Sequence, residues 1–146
     1  MTLAVILAVS LVMASAFIHY EFLWRLNRLL PRLRLFPRRA AVLVAVLGAF
    51  ASHFCQITLF ACVYYVIQMG GGGNLGGGTD QFSFHTLLYF STESYTSLGF
   101  GDIYPLKSLR LLVGVESITG LLMISWTASF TFLEMQRYWT SDIDGK

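Results

Sequence analysis

The residues with the clearest capacity for chemistry lie between positions 96 and 102, where the chain reads Thr-Ser-Leu-Gly-Phe-Gly-Asp. The glycines at 99 and 101 permit backbone with positive φ, a geometry that is costly for other residues and that lets successive carbonyl groups point the same way. A row of carbonyl oxygens replaces the water shell of a dehydrated cation. This spacing therefore predicts a cation path lined by backbone oxygens.

Long apolar runs surround this segment. Of the 146 residues, 55% are hydrophobic and 12% are charged, against about 25% charged in a soluble domain. Residues 2–18, 42–69 and 111–133 are apolar runs of a length suited to crossing a membrane. An Ala-Ser-Ala tripeptide at 14–16 resembles a signal-peptide cleavage site, but no Lys or Arg precedes the first run. A retained helix is therefore favoured over a cleaved signal peptide.

Basic residues set the expected orientation of these runs. Six of the ten lie between the first and second runs: Arg25, Arg28, Arg32, Arg34, Arg38 and Arg39. The positive-inside rule places that loop in the cytoplasm, with the N-terminus outside and the C-terminus inside. The stretch 82–96 covers only about 22 Å as a helix, too little to cross. It must then enter the membrane from outside and return to the same side. Irregular backbone at membrane depth is tolerated only where protein buries it or where it lines a water-filled path.

The string at 97–102 resembles the pore of the potassium-channel family, specifically the small two-helix bacterial type, whose pattern is Thr-Val-Gly-Tyr-Gly-Asp. The likeness extends back through Tyr-Phe-Ser-Thr-Glu at 89–93 and forward through Ile-Tyr-Pro at 103–105. It continues into the third run at Glu116 and Gly120. A lone Gly-x-Gly means little, but this string after a short helix and between two spans is specific.

The resemblance implies a fold and an activity. It implies an all-α membrane protein with three transmembrane helices, a re-entrant pore helix and a selectivity-filter loop. K⁺ is the permeant ion, bound by the carbonyls of Ser97, Leu98, Gly99 and Phe100 and the Ser97 hydroxyl, with Gly101 completing the filter. One chain supplies a quarter of each ring, so a homotetramer is expected. Potassium-selective, passive conduction in a bacterial-type inner (plasma) membrane follows, with no cofactor and no enzymatic activity.

The predicted divisions of the chain follow from the runs and the resemblance. They are an N-terminal transmembrane helix at 1–23, a basic cytoplasmic interfacial loop at 24–39, a pore domain at 40–135 and a short cytoplasmic tail at 136–146. Within the pore domain we expect an outer helix at 40–69, a flexible glycine-rich external loop at 70–80, the pore helix at 82–96, the filter at 97–101 and an inner helix at 108–135.

Four residues are expected to support the filter: Glu93, Asp102, Phe90 and Tyr89. In relatives the positions of Glu93 and Asp102 pair behind the filter, with one carboxyl protonated because two close carboxylates do not both ionise. The alternative is a Glu93 solvated at the subunit interface. Phe100 replaces the family's tyrosine, and Phe90 stands where relatives often have tryptophan, so both polar handles of the aromatic contact are missing. Serine at 97 and leucine at 98 are further departures, and together they predict a softer filter.

The third run offers further candidates. Ser125, Ser129 and Phe132 share one face and line the cavity, with Phe132 as a hydrophobic constriction, or they simply pack. Gly120 either bends the helix during gating or permits close packing. Glu116, a charge within a span, is expected behind the pore helix, where it accepts hydrogen bonds.

Competing interpretations remain at two levels. The arginines Arg25, Arg28, Arg32, Arg38 and Arg39 either bind anionic lipid headgroups along an interfacial helix or serve topology alone. The alternatives to a potassium channel are a weakly selective monovalent cation channel and a non-conducting scaffold subunit. A membrane enzyme is not expected, because the scattered histidines His19, His53 and His85 and the two cysteines form no constellation with ligand spacing.

Overall fold

The computed structural model describes residues 2–32, 38–71, 75–77 and 83–140, and helices form its framework. The elements in chain order are α1 (Thr2–Leu29), a 3-10 turn (Leu30–Arg32), α2 (Arg38–Met69), β1 (Leu75–Gly77), α3 (Phe84–Tyr95), β2 (Ile103–Pro105) and α4 (Leu109–Thr140). Of these, α1, α2 and α4 are long and apolar enough to cross a membrane. The short α3 lies between α2 and α4 in the chain and packs against both.

The first helix is longer than predicted, and this corrects the boundary drawn at residue 23. Residues 24–29, assigned to an interfacial loop, continue α1 without a break. Leu23 and Leu26 pack against Ala49 of α2, and Leu30 packs one turn further along. Because this apolar stripe continues past the first arginines, the helix continues with it. It ends near Pro31, whose ring and missing N–H are incompatible with a helix interior.

The last helix is also longer than predicted. It runs to Thr140, so residues 136–140 of the predicted tail are helical, and residues 141–146 lie outside the described residues. Arg137 donates to Asn27 Oδ1 of α1 at 3.0 Å. The C-terminal ends of α1 and α4 therefore lie at the same end of the bundle. The outer and pore helices begin and end within two residues of the predicted positions.

A small antiparallel ribbon adds strand structure to the predicted all-α fold. The strand β1, which lies in the glycine-rich loop, pairs with β2, which lies between α3 and α4. Gly77 is opposite Ile103 and Gly76 is opposite Tyr104. A Cβ at Gly76 would overlap the Tyr104 ring, and Gly77 has φ +134. Glycine is therefore needed for close approach here, and not only for flexibility. Residues 72–74 and 78–82 of this region lie outside the described residues.

The main apolar core holds α3 in place. Leu87 and Phe90 of α3 are buried with Phe60 and Tyr64 of α2 and Leu112 of α4. This core lies towards the end of the bundle at which α2 ends and α4 begins. Large apolar side chains also cover much of the outer surface of the three long helices. Such exposure in one chain suits contact with lipid or with further copies.

Candidate functional site

The segment predicted to be the filter, residues 97–101 (hereafter the candidate filter), has a backbone whose φ alternates in sign. Ser97, Gly99 and Gly101 have φ of 58, 56 and 83, while φ is not positive at Leu98 and Phe100. Backbone that alternates between left- and right-handed conformations turns successive N–H groups to one side, and hence successive carbonyls to the other. The glycines occupy two of the three positive-φ positions, as the sequence predicted.

The third positive-φ position, Ser97, is explained by the end of α3. The Leu98 N–H donates to the Glu93 carbonyl at 2.8 Å, and the Ser97 N–H donates to the Ser94 carbonyl at 3.1 Å. With Thr96 as the C-cap, this pair of bonds is a Schellman motif, which places the residue after the cap in the left-handed region. The same conformation that ends the helix thus starts the alternation.

The N–H groups of the candidate filter are directed towards α3. Besides the two capping bonds, the Phe100 N–H donates to Glu93 Oε2 at 2.8 Å. Glu93 therefore anchors the segment twice, through its backbone carbonyl and through its carboxyl group. Because the N–H groups are tied to α3, the carbonyls are left on the face turned away from it.

Two side chains of the candidate filter are exposed in a single chain. Leu98 and Phe100 are 60% and 65% exposed. The Phe100 ring stacks on the Tyr89 ring, with centroids 6.4 Å apart and planes 3° from parallel. Phe90 is 2% exposed and meets the ring of Tyr64 edge-on at 5.4 Å. Tyr89 is therefore the aromatic residue stacked on the candidate filter within one chain, while Phe90 packs in the core.

Glu93 and Asp102 interact through charge and are not joined by a hydrogen bond among the described residues. Asp102 Oδ1 accepts from the Ile103 N–H at 3.0 Å. Glu93 is buried, and its Oε1 has no partner in the described part of the chain. Burial raises the pKa of Glu93; the Phe100 N–H opposes this shift, and the nearby Asp102 carboxylate adds to it. The two carboxyl groups are thus coupled, but the predicted direct pairing is not formed.

Glu116, on α4, links this helix to both α2 and α3. It is fully buried; the Tyr64 hydroxyl of α2 donates to its Oε2, and Ser91 Oγ of α3 lies 2.5 Å from its Oε1. Ser91 Oγ also lies 2.8 Å from the Ile57 carbonyl oxygen. A serine hydroxyl has one hydrogen, so a carboxyl that itself carries a hydrogen satisfies all three contacts. The supporting role expected of Glu116 fits this geometry.

Gly120 lies where α4 crosses the end of α3. A Cβ at this position would overlap the Tyr95 carbonyl oxygen, whereas one at Gly114 would meet nothing within 4 Å. Ser117 Oγ, less than one turn earlier, donates to the Ser94 carbonyl at 2.8 Å. Between the two roles proposed for Gly120, this geometry favours close packing over a bend, and α4 is continuous through it.

The predicted cavity-lining residues of α4 are exposed in one chain. The hydroxyls of Ser125 and Ser129 donate back to carbonyls of their own helix, at 2.8 Å and 3.2 Å. Phe132 is 58% exposed. These contacts hold the serine side chains against the helix, and the cavity and gate roles stay predictions.

The arginines are only partly described. Arg25 pairs with Glu21 at 3.3 Å, and the Arg28 guanidinium lies 3.9 Å above the Trp24 ring. The side chains of Arg32, Arg38 and Arg39, and all of Arg34, lie outside the described residues. The lipid-binding role predicted for the group therefore stays a prediction.

A buried polar cluster was missed by the reasoning from sequence. It joins all four helices and contains His19, Ser52, His53, Gln56, Tyr95 and Thr127. Two of the three histidines that looked scattered in the sequence, His19 and His53, are neighbours here, with ring centroids 5.2 Å apart. The available signal was the set of polar residues at 52, 53 and 56 within an apolar run, since polar groups inside a span are expensive and commonly functional. No group of three or more His, Cys, Asp or Glu side chains within the described residues is placed to hold a metal ion.

Three helices of spanning length around an anchored loop define a multi-pass membrane protein. The sequence matches the model of an ion channel family of the two-transmembrane type over residues 39–137. That range is more than half of the chain and covers α2, α3, the candidate filter and most of α4. The chain belongs to this ion channel family, and α1 lies outside the matched region. No curated protein and no solved structure matches the chain.

Proposed function

We propose that the chain is one subunit of a homotetrameric channel that conducts K⁺ passively and selectively. The observation that carries this proposal is the sign alternation of φ from Ser97 to Gly101, combined with N–H groups anchored to α3. Because the N–H and C=O of one peptide plane point in opposite directions, this anchoring directs the carbonyl oxygens away from α3. Dehydrated potassium is stabilised by such oxygens.

The tetramer is the assembly that the resemblance implies, and the exposed side chains of the candidate filter support it. One candidate filter supplies one side of an ion path, and its Leu98 and Phe100 side chains are exposed. Closed rotational symmetry surrounds the ion with identical walls and covers these side chains. In this arrangement α3 is re-entrant, and the C-terminal end of its dipole is directed at the ion path.

The orientation follows from charge. The arginine-rich segment between α1 and α2 lies on the cytoplasmic side of the plasma membrane. Arg137 contacts Asn27, so the end of α4 lies on that side as well, and the N-terminus and the candidate filter's outer mouth lie outside. Anionic lipid headgroups bind the arginines at this surface: Arg25, Arg28, Arg32, Arg38 and Arg39.

A weakly selective cation channel is the second candidate. It is favoured by Phe100, which offers a stacked ring but no hydroxyl to fix the segment. Serine at 97 also lacks the methyl group that restricts the threonine rotamer. Both departures lower the rigidity expected of the filter.

The test is ion flux from liposomes that contain only the purified chain. One preparation is loaded with potassium and a second with sodium. Potassium efflux that barium blocks, with little sodium efflux, supports the proposal. Equal flux of both ions selects the weakly selective alternative. Absence of flux, with the protein folded and inserted, favours the scaffold interpretation.

A matched pair of variants ties any flux to the candidate filter. Gly99 has φ +56, so Gly99→Ala strains the backbone, whereas Gly114→Ala adds a methyl group in open space. We expect Gly99→Ala to abolish potassium flux and Gly114→Ala to preserve it. Flux that survives Gly99→Ala unchanged would mean that ions pass elsewhere.

A further inference from the structure

Five polar side chains form a closed ring of hydrogen bonds that links the four helices; we call it the polar ring. Its members are His19 of α1, His53 and Gln56 of α2, Tyr95 of α3 and Thr127 of α4. In order around the ring, the distances are 3.2 Å from Gln56 to His19, 3.3 Å from His19 to Thr127, 2.8 Å from Thr127 to His53, 3.0 Å from His53 to Tyr95 and 3.0 Å from Tyr95 to Gln56. His19, Gln56 and Tyr95 are at most 1% exposed.

All five hydrogen bonds of the polar ring donate in the same direction around it. Gln56 Nε2 lies 3.3 Å from the Ser52 carbonyl oxygen, which only accepts, so this end of the amide is the donor. It therefore donates to His19 Nδ1, and the Tyr95 hydroxyl donates to Gln56 Oε1. His53 Nδ1–H must then donate to the Tyr95 oxygen, because the tyrosine hydrogen is already used.

The donors of the remaining two bonds of the ring follow in the same way. The Thr127 hydroxyl donates to His53 Nε2, and His19 Nε2–H donates to Thr127 Oγ1. Each member gives one hydrogen and accepts at least one. Both histidines are neutral, with opposite tautomers: His19 carries its hydrogen on Nε2 and His53 on Nδ1. In this uncharged state every member of the ring both donates and accepts.

An added proton changes the polar ring at a defined nitrogen. On His53 it must occupy Nε2, so the Thr127 hydroxyl turns its hydrogen away and accepts from His53 instead. On His19 it must occupy Nδ1, so the bond from Gln56 Nε2 to His19 is lost and Nδ1–H faces Ser52 Oγ. Either position also creates a buried charge, which is costly without a partner.

Other titratable groups in or near the polar ring make contacts of their own, although one oxygen of Glu93 has no partner among the described residues. Burial, assisted by Glu116, raises the pKa of Tyr95, so its hydroxyl keeps its hydrogen. On α4, Glu116 is held by Tyr64 and Ser91; on α3, Glu93 binds the Phe100 N–H.

The elements that carry the histidines add little further charge. On α1, Glu21 pairs with Arg25. The α2 neighbour Cys55 is exposed, and the α4 neighbour of His19 is the uncharged Trp126 ring, 5.3 Å away. Within the described residues, His19 and His53 are thus the ring members that can take up a proton on acidification.

We propose that the polar ring is a proton-sensitive link through which α1 controls the pore. Tyr95 is the last residue of α3, its carbonyl oxygen lies against Gly120 of α4, and it precedes Ser97 by two positions. With the ring neutral, the Tyr95 hydroxyl is bonded to His53 and Gln56 of α2, and Gln56 is bonded to His19 of α1. Protonation of His19 breaks this tie between α1 and Gln56 and lowers ion flux. The pore-control part of this inference rests on the proposed function.

The first test measures potassium efflux from liposomes between about pH 8 and pH 4. Wild-type efflux is expected to fall by roughly tenfold on acidification, the factor that corresponds to one lost buried hydrogen bond. The double variant His19→Gln/His53→Gln, which retains polar groups but does not titrate there, is expected to lose this response. His85→Gln is the matched control, because His85 is the third histidine, is exposed and lies outside the ring. An unchanged acid response in the double variant, or acid activation of the wild type, would overturn the proposal.

The second test does not depend on conduction, so it separates failure of this inference from failure of the proposed channel function. NMR of isotopically labelled histidine in the full-length protein reports the tautomer and charge of each ring. At high pH we expect two buried neutral histidines with opposite tautomers, and both signals should be lost in the double variant. Two identical tautomers, or a histidine already charged at high pH, would refute the ring. If the double variant conducts at no pH, the wild-type NMR titration decides the proposal: the histidines must become charged over the pH range in which wild-type flux falls. If the wild type conducts no ions either, the tautomers alone decide whether the ring exists.

Discussion

The two sides of α3 are each organised around a glutamate, and the fold treats the two glutamates differently. Ser91 and Glu93 are two positions apart, so their side chains point about 200° apart around the helix. At the back of α3, Glu116 is fully buried and has partners on both oxygens, Tyr64 and Ser91. At the front, Glu93 holds the Phe100 N–H through one oxygen, and its other oxygen has no partner among the described residues.

This difference distinguishes the hydrogen bonds that one chain forms in full from those that it leaves without a partner. The back of α3 is fully bonded within the subunit, so it fixes the position of the helix before any assembly. The front exposes Leu98 and Phe100, and one carboxyl oxygen of Glu93 has no partner among the described residues; the proposed assembly would cover this side. Substitutions at the back should therefore reduce folding, and those at the front should change ion selection in a folded protein.

The largest expected effect is at the back, from Glu116→Leu. This change leaves the Tyr64 hydroxyl buried without its acceptor and should destabilise the fold by about 3 kcal/mol. Thermal unfolding in detergent and the yield of folded protein measure the loss. Glu116→Gln is the control, because an amide accepts from Tyr64 and donates to Ser91, and it should remain within about 1 kcal/mol of wild type. Equal damage by both variants would show that charge, and not the hydrogen-bond pattern, matters at the back.

The next effect tests how tightly α4 must pack on the end of α3. Gly120→Ala places a methyl group against the Tyr95 carbonyl oxygen and should cost about 2 kcal/mol through overpacking. Gly114→Ala, in the same helix but in open space, should stabilise the protein by up to about 1 kcal/mol because alanine favours helix. Opposite shifts of the unfolding temperature are expected. If Gly120→Ala leaves the unfolding temperature unchanged, close packing does not explain this glycine, and the role of a gating hinge would be favoured instead.

At the front, Glu93→Ala should spare folding and reduce selection. The Phe100 N–H loses its acceptor, and the preference for potassium over sodium should fall by about tenfold, equivalent to about 1.4 kcal/mol. Glu93→Gln keeps an acceptor oxygen and should remain within about twofold of wild type. Since burial raises the pKa of Glu93, acid should protonate it at a higher pH than an ordinary glutamate and bring the wild type towards the Gln variant. Flux ratios in mixed-ion liposomes measure this, and an Ala variant with unchanged selectivity would contradict the anchoring role.

The sequence was sufficient for the long helices and for the positive φ of Gly99 and Gly101 because their signals are local. Apolar runs and short glycine spacing identify an element without knowledge of its neighbours. The end of α1 was predicted too early because Arg25 and Arg28 mark where hydropathy falls, whereas packing of Leu26 and Leu30 on α2 decides where the helix ends. The β1–β2 ribbon was missed because glycines carry no pattern of alternating side chains.

The polar ring was missed for a different reason. His19, His53, Tyr95 and Thr127 are far apart in the sequence, and each looks like a single polar residue in an apolar stretch. Only the packing of four helices brings them within hydrogen-bond distance. A fixed spacing, which made the candidate filter recognisable, does not exist for contacts of this kind.

The smallest effect sharpens the comparison at the front, through Phe100→Tyr. The Phe100 ring is 65% exposed and stacks on Tyr89, while Phe90 is buried against Tyr64 and presents no polar group. A hydroxyl at position 100 would therefore gain a partner only from a neighbouring subunit, and one such bond is worth about 0.5–1.5 kcal/mol. We expect a two- to threefold gain in potassium preference or in the duration of sustained current, at the lower end of that range. Phe50→Tyr, on the outer face of α2 and 69% exposed, adds the same hydroxyl away from α3 and should change neither. If Phe100→Tyr also changes neither, the missing hydroxyl does not soften the filter, and its rigidity must come from Glu93 alone.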